Sequence, residues 1–263
     1  MRYIIILILI TITFSCKESQ NDLRIKNFPK QEIKVTDIPN SNNVWIFIMA
    51  GQSNMAGRGF VEPQDTIPNK RILTINKNNE LIYAKEPLHF YEPSGSGLDL
   101  GLSFGEKIIS KIPDSISVLI IPTAVGGSSI EQWIENKKHR NVELLNNFKN
   151  KVKIAETYGE SNTKDELSIS NYDKNLSLLF TKFRQITNDE QLPIIIGKLG
   201  SYSNNKKNFK KLNLEIETYA KTDKNVRIVK TSDLTDRGDK LHFDSKSIRV
   251  LGDRYAEKIL EIK

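Results

Sequence analysis

Residues 44–50, Val-Trp-Ile-Phe-Ile-Met-Ala, form a near-continuous apolar run that stops at Gly51. A strand with one face in water alternates apolar and polar residues, so a run without alternation reads as a strand covered on both faces, the habit of parallel sheets flanked by helices. Shorter runs at 71–75, 81–84, 116–121, 193–197 and 226–229 read as further strands. Between them, 100–112 carries apolar residues at 104, 108, 109 and 112, and 172–186 carries them at 176, 179, 180 and 183, the spacing of helices with one buried face. Two more helices are expected at 209–219 and 244–262, the last with Asp244 as N-cap and Ile248, Leu251, Tyr255 and Ile259 on its inner face. The stretch 144–157 fits either one helix or a helix followed by a short strand. Strands alternating with helices give βαβ units, hence an α/β fold with a mainly parallel central sheet.

The first 43 residues belong to another regime. Arg2 is followed by Tyr3, the unbroken apolar run Ile4–Ile10, and then Ser15-Cys16, which reads as an export signal too short to span a bilayer comfortably. Cys16 is the one cysteine of the chain, which excludes a disulfide framework. Its position resembles that of the acylated cysteine in bacterial lipoprotein signals, although Thr13 stands where a Leu is usual. The resemblance implies cleavage before Cys16, a lipid on its thiol, and an exported protein held at a membrane on the periplasmic or cell-surface side. Residues 17–43 are polar, with Pro29, Pro39 and the run Asn40-Ser41-Asn42-Asn43, and are expected to be a flexible tether to a folded domain over 44–263. The formal charge of +7 comes from scattered lysines interleaved with acids and asparagines. No aromatic-plus-basic stripe of a nucleic-acid reader is present.

In open parallel sheets, ligands gather beyond the carboxyl ends of the strands. Three polar clusters lie directly after apolar runs. Gly51-Gln52-Ser53-Asn54-Met55-Ala56-Gly57-Arg58-Gly59 puts a hydroxyl on a turn. It lacks the second glycine of a G-x-S-x-G nucleophile elbow and the G-K-[ST] of a phosphate loop, and taken alone it is equally well a structural turn. Ala124-Val125-Gly126-Gly127-Ser128-Ser129-Ile130-Glu131 pairs two glycines whose amides can converge on an oxyanion, or simply turn a strand into a helix. Asp239-Lys240-Leu241-His242-Phe243 spaces a carboxylate and an imidazole so that the acid can hold Nδ1–H while Nε2 takes a proton. The other two histidines suggest less: His139 sits in the charged run Lys137-Lys138-His139-Arg140 and is expected in solvent, and His89 has no acid close in sequence. There is no HExxH, no cysteine pair and hence no evident metal or cofactor site. A pair of carboxylates acting as in glycosidases is not singled out by any feature.

Taken together, Ile48–Gly59, Glu86-Pro87-Leu88-His89, Ala124–Trp133, Gly159-Glu160-Ser161-Asn162, Asp239–Phe243 and Leu251–Ala256 resemble, in order, the conserved blocks of the SGNH hydrolases in the sialate O-acetylesterase and carbohydrate esterase 6 group. The resemblance implies a three-layer, flavodoxin-like sandwich and hydrolysis of acetyl esters on carbohydrates. It also implies Ser53 as nucleophile, His242 as base, Asp239 as its orienting acid, and no cofactor or metal. Gln52, Asn54, Gly126, Gly127 and Glu160 fall among the oxyanion and substrate-binding positions. Family members usually carry Trp-x-Gln ahead of Gly-Glu-Ser-Asp; here Glu156-Thr157-Tyr158 precedes Gly159, so Tyr158 takes the place of an oxyanion-side Gln. A carbohydrate-binding lipoprotein without activity on the same fold, and a hydrolase with another ester preference, are the alternatives.

Overall fold

The computed structural model describes residues 20–158 and 172–262. The expected signal segment with Cys16, and Glu160 with its Gly-Glu-Ser-Asn block, lie outside the described residues.

Strand β1 (Val44–Met49) pairs in parallel with β4 (Ser117–Pro122), which pairs in parallel with β2 (Ile72–Ile75). The short β3 (Leu81–Tyr83) closes that edge antiparallel to β2. Strands β7 (Ile194–Gly197) and β8 (Val226–Val229) form a second parallel ladder. On β1, Trp45, Phe47 and Met49 pack into one apolar cluster while Ile46 and Ile48 pack into the clusters of the other face, which is why this strand shows no alternation. The first layer holds α2 (Gly101–Ile109) against α7 (Ser245–Leu260). The opposite layer holds α3 (Ile130–Ile134), α4 (Leu144–Glu156), α5 (Tyr172–Thr187) and α6 (Lys206–Ala220). The ambiguous stretch is therefore helix throughout, α4. Asp244 caps α7 by accepting the Ser247 amide at 2.7 Å.

Two parts escaped the sequence reading. A two-strand hairpin, β5 (Lys138–His139) and β6 (Val142–Glu143), precedes α4. And the expected flexible tether touches the fold at several points, although most of residues 23–43 are exposed. Helix α1 (Gln20–Ile25) buries Arg24, whose guanidinium donates to the Ser96 carbonyl at 2.5 Å, and Asn27 donates to the Val61 carbonyl at 2.9 Å. Beyond it, Val35 N–H donates to Leu81 at 3.1 Å and Tyr83 N–H to Ile33 at 2.9 Å, so the segment adds a bridge along the open side of β3. The segment is held by backbone bonds, the Asn27 side chain, one buried cation and the partly buried Phe28 and Val35, apolar contacts too sparse to leave a hydrophobic period.

Candidate functional site

β1 delivers the chain to the carboxyl edge of the sheet, where residues 51–57 make a tight turn. Met55 and Ala56 amides both donate to the Gln52 carbonyl at 2.9 Å. The turn is closed by Gly57, at φ +82°, where an added methyl carbon would lie 2.3 Å from the Gly97 carbonyl oxygen and 2.8 Å from Asp99 Cβ. Only glycine fits so close an approach. Ser53 is thereby held at the strand end, its side chain largely buried.

The second element is the loop before α7. Asp236 accepts the amides of Gly238 and Lys240 at 2.9 and 2.7 Å, and Arg237 N–H donates to the His242 carbonyl at 3.0 Å. These bonds curl Asp239 back onto His242: Asp239 Oδ2 meets His242 Nδ1 at 2.7 Å, and Asp239 Oδ1 accepts the His242 and Leu241 amides at 2.8 and 2.9 Å. Arg237 Nε donates to Asp239 Oδ2 at 2.8 Å. Partial burial pushes this carboxyl upward, but the amide and ring of His242, then Arg237 and the Leu241 amide, outweigh burial and hold it well below the usual carboxylate range. An ionised Asp239 requires the proton on Nδ1, which leaves Nε2 as the acceptor. His242 Nε2 lies 3.1 Å from Ser53 Oγ.

Asn54 holds these two loops together. Its Oδ1 accepts the Phe243 amide at 3.2 Å and its Nδ2 donates to the Leu241 carbonyl at 3.3 Å, so the residue after the hydroxyl grips the backbone on both sides of the imidazole. Expected as a pocket residue, it is a staple. Gln52 is in contact with Ser53 itself: its Oε1 accepts the Ser53 amide at 2.8 Å and the Ser53 hydroxyl at 2.7 Å, in competition with His242 Nε2 for the single hydroxyl proton.

The glycine pair follows β4. Val125 N–H donates to the Gly51 carbonyl at 3.1 Å, which lashes this loop to the start of the serine turn. The two glycines do different work. The Gly126 amide is engaged by Glu92 Oε1, and a methyl at Gly126 would fall 1.9 Å from an Arg58 guanidinium nitrogen. Gly127, at φ +76°, has an N–H with no acceptor among the described residues, and a methyl carbon built there would lie 3.6 Å from the His139 ring.

Glu92, marked by no motif or spacing, is a buried anion beside the glycine loop. It meets Arg58 at 2.7 Å and Arg140 at 3.4 Å. Burial pushes its carboxyl up, yet the Gly126 amide and the Arg58 and Arg140 charges leave it below the usual range. Arg58 carries the network on by accepting Arg237 NH1 on its carbonyl at 2.8 Å, which reaches Asp239. His139, expected in solvent, is partly buried and meets the Gly126 carbonyl through Nε2 at 2.9 Å. His89 is fully buried, with Nδ1 2.7 Å from Asp99 Oδ2. Asp99 N–H in turn donates to the buried Glu86 at 3.1 Å, whose carboxyl is driven far upward by burial and by the Asp99 charge. This second Asp–His pair sits against Gly57 and supports the turn; its free His89 Nε2 meets no hydroxyl among the described residues.

Tyr158 does not join the site. It lies two residues past the end of α4 and packs, partly buried, against the apolar cluster of Leu73, Ile75, Leu119 and Ala155, to which no residue of the serine turn or the 236–243 loop belongs. Among the described residues no group of three His, Cys, Asp or Glu is arranged to hold a metal ion, and no helix is long and apolar enough to cross a membrane.

The profile of the family described as "Carbohydrate esterase, sialic acid-specific acetylesterase" matches residues 43–261. The chain belongs to this family of carbohydrate esterases. Among curated relatives, a "probable carbohydrate esterase" of Arabidopsis thaliana is 29% identical over 258 residues, covering 88% of this chain and 94% of the relative. The crystal structure of that Arabidopsis protein superposes with a TM-score of 0.67 at 24% identity, covering 84% of this chain and 98% of the other. NanS superposes with a TM-score of 0.64 at 18% identity, covering 86% and 99%. A carbohydrate acetylesterase of Xanthomonas citri gives 0.54 at 17% identity, covering 81% of this chain and 55% of that one. The fold of this esterase is thus the mixed α/β sandwich of its relatives, with a mainly parallel sheet.

Proposed function

We propose that this esterase removes O-acetyl groups from carbohydrates by serine-dependent acyl transfer. The observation that carries the reading is the unbroken chain of contacts Asp239–His242–Ser53, 2.7 and 3.1 Å long, in a member of a carbohydrate acetylesterase family. On entry of an acetyl ester, its carbonyl oxygen displaces Gln52 Oε1 from the Ser53 amide, and the amides of Ser53 and Gly127 take the developing negative charge. Ser53 Oγ attacks the carbonyl carbon while its proton passes to His242 Nε2. The imidazolium is stabilised by ionised Asp239, then protonates the departing sugar oxygen. Water enters, gives a proton to His242, and attacks the acetyl–serine ester; the returning proton restores Ser53 and acetate leaves.

Ser53→Ala should lower acetate release from acetylated glycans by at least about 10⁴-fold while leaving the fold intact. Wild-type turnover in that variant removes Ser53 from the mechanism. Organophosphonate labelling separates an enzyme from a protein that only binds sugars, since the latter takes no label at Ser53. A panel of acetyl, butyryl and longer esters separates acetyl specificity from a wider ester preference, at roughly 1–3 kcal/mol per misfitted methylene.

The leader motivates a second part of the proposal: export and lipid attachment at Cys16, which would hold the esterase at a membrane surface. Incorporation of a clickable fatty acid, lost in Cys16→Ser, tests it.

A further inference from the structure

The peptide unit joining Gly126 to Gly127 is gripped on one side and free on the other. Its N–H is that of Gly127, which has no acceptor among the described residues. Its carbonyl is that of Gly126, and it takes two donors: His139 Nε2 at 2.9 Å and Arg140 Nε at 3.0 Å. Both come from the β5–β6 hairpin. Since a carbonyl can only accept, His139 must carry its proton on Nε2. The Gly126 carbonyl is the only hydrogen-bond partner of the His139 ring among the described residues.

Hydrogen bonds polarise one another through the groups they share: a donor on the oxygen of an amide draws charge toward that oxygen and makes the amide's own N–H a stronger donor. Two donors, one a guanidinium, act here on one amide. The hairpin backbone points the same way. Arg140 and Asn141 occupy its two turn positions with φ of +46° and +65°. Such turns favour Asn, Asp or Gly at both positions, and a bulky side chain in the left-handed region is strained. The strained Arg140 is the residue that reaches both the Gly126 carbonyl and, at 3.4 Å, Glu92. Strain of this kind is found where a local side chain has a task.

We infer that His139 and Arg140 are positioning residues of the acyl-transfer step, which orient and polarise the 126–127 peptide so that the Gly127 N–H binds the oxyanion. The inference rests on the proposed serine mechanism, and one set of variants separates the two. His139→Ala and Arg140→Ala should each lower kcat by about 10-fold, and the double variant by about 10²-fold, the range for losing one oxyanion donor outright. KM should stay within about twofold of wild type, because the ground-state carbonyl gains little from a stronger donor. Affinity for a small boronic acid, which forms a tetrahedral adduct on the serine, should fall in step with kcat. His139→Gln, whose side-chain amide can still donate to the Gly126 carbonyl, should recover most of the loss. Should an alanine variant fold poorly, His139→Gln against His139→Glu, which places an acceptor at the carbonyl, gives the same comparison.

An unchanged kcat and boronate affinity in folded His139→Ala and Arg140→Ala overturns the inference. So does a loss of kcat that tracks thermal stability and is not recovered by Gln. If instead Ser53→Ala keeps its activity or wild type takes no boronate, the serine mechanism has failed and the hairpin has no such step to serve.

Discussion

Glu92→Gln tests whether the buried anion organises the site. The substitution keeps the shape of the side chain and removes its charge. In the native protein one oxygen accepts the Gly126 amide and the other faces Arg58 at 2.7 Å. A carboxamide has a single acceptor, so in either orientation its NH₂ is turned on a donor, Gly126 or Arg58. A charge-assisted bond contributes about 1.5–3 kcal/mol, and breaking one partner of a buried ion pair costs about 3–5 kcal/mol. Arg140 softens the loss little, because its side chain is 52% exposed and its contact is 3.4 Å. A net destabilisation of about 3 kcal/mol corresponds to a Tm lower by roughly 6–12 °C in a domain of this size. Calorimetry of wild type and variant across pH supplies the control. Glu92 titrates below its ordinary range in the folded state, so its stabilisation is complete above the unfolded carboxylate value, about 4.3, and is lost as pH falls through the lower folded value. The gap in Tm should therefore be full at neutral pH and shrink in acid. A variant melting within about 1 °C of wild type at pH 7, or a gap that does not narrow below the carboxylate range, refutes the assignment of Glu92 as an ionised keystone.

Asp239→Asn should lower kcat by about 10⁴-fold in an acetate-release assay by allowing the wrong imidazole tautomer. Because the Asp239 carboxyl is held low by His242 and Arg237, its stabilisation exists above about pH 4 and disappears as pH falls through the folded value; the variant should lack that part of the acid-limb slope in calorimetry. Gly126→Ala should lower Tm by displacing the Arg58–Glu92 pair, since the added methyl falls 1.9 Å from the Arg58 guanidinium and 2.5 Å from the Glu92 carboxylate. Gly127→Ala places its methyl in ordinary contact with His139, at 3.6 Å, and should cost mainly the strain of its φ, about 1–2 kcal/mol, read as a lower Tm in calorimetry.

How much of this was legible in the sequence depends on distance along the chain. The doubly buried β1 announced the parallel sheet, because a period of one in burial leaves a run without polar residues. The Asp239–His242 contact spans three positions on one loop, and residue spacing alone suggested it. The approach of Ser53 to His242 spans 189 positions. Resemblance to a known family brought the two together on paper, and the Asn54 staple brings them together physically. What stayed hidden were partnerships between distant polar residues with no period: Glu92 with Arg58 and Gly126, and Arg237 with the Arg58 carbonyl. A lone Glu after two aromatics reads as surface until its guanidinium partner is known. His139 looked solvated because its neighbours are charged, but the two-residue turn at Arg140-Asn141 folds it back onto the glycine loop. Tyr158 was placed by aligning a motif whose defining Gln is missing, and the length of α4 carries it elsewhere.

The family match begins at residue 43, yet the folded unit begins earlier. Residues 33–35 run along β3 and occupy peptide groups that would otherwise face outward, and Arg24 plugs the loop that carries Glu92. A chain trimmed to the matched boundary would present a bare strand at the end of its principal sheet, the kind of surface that recruits a second copy. The segment ahead of residue 43 thus covers an edge that would otherwise be open to pairing.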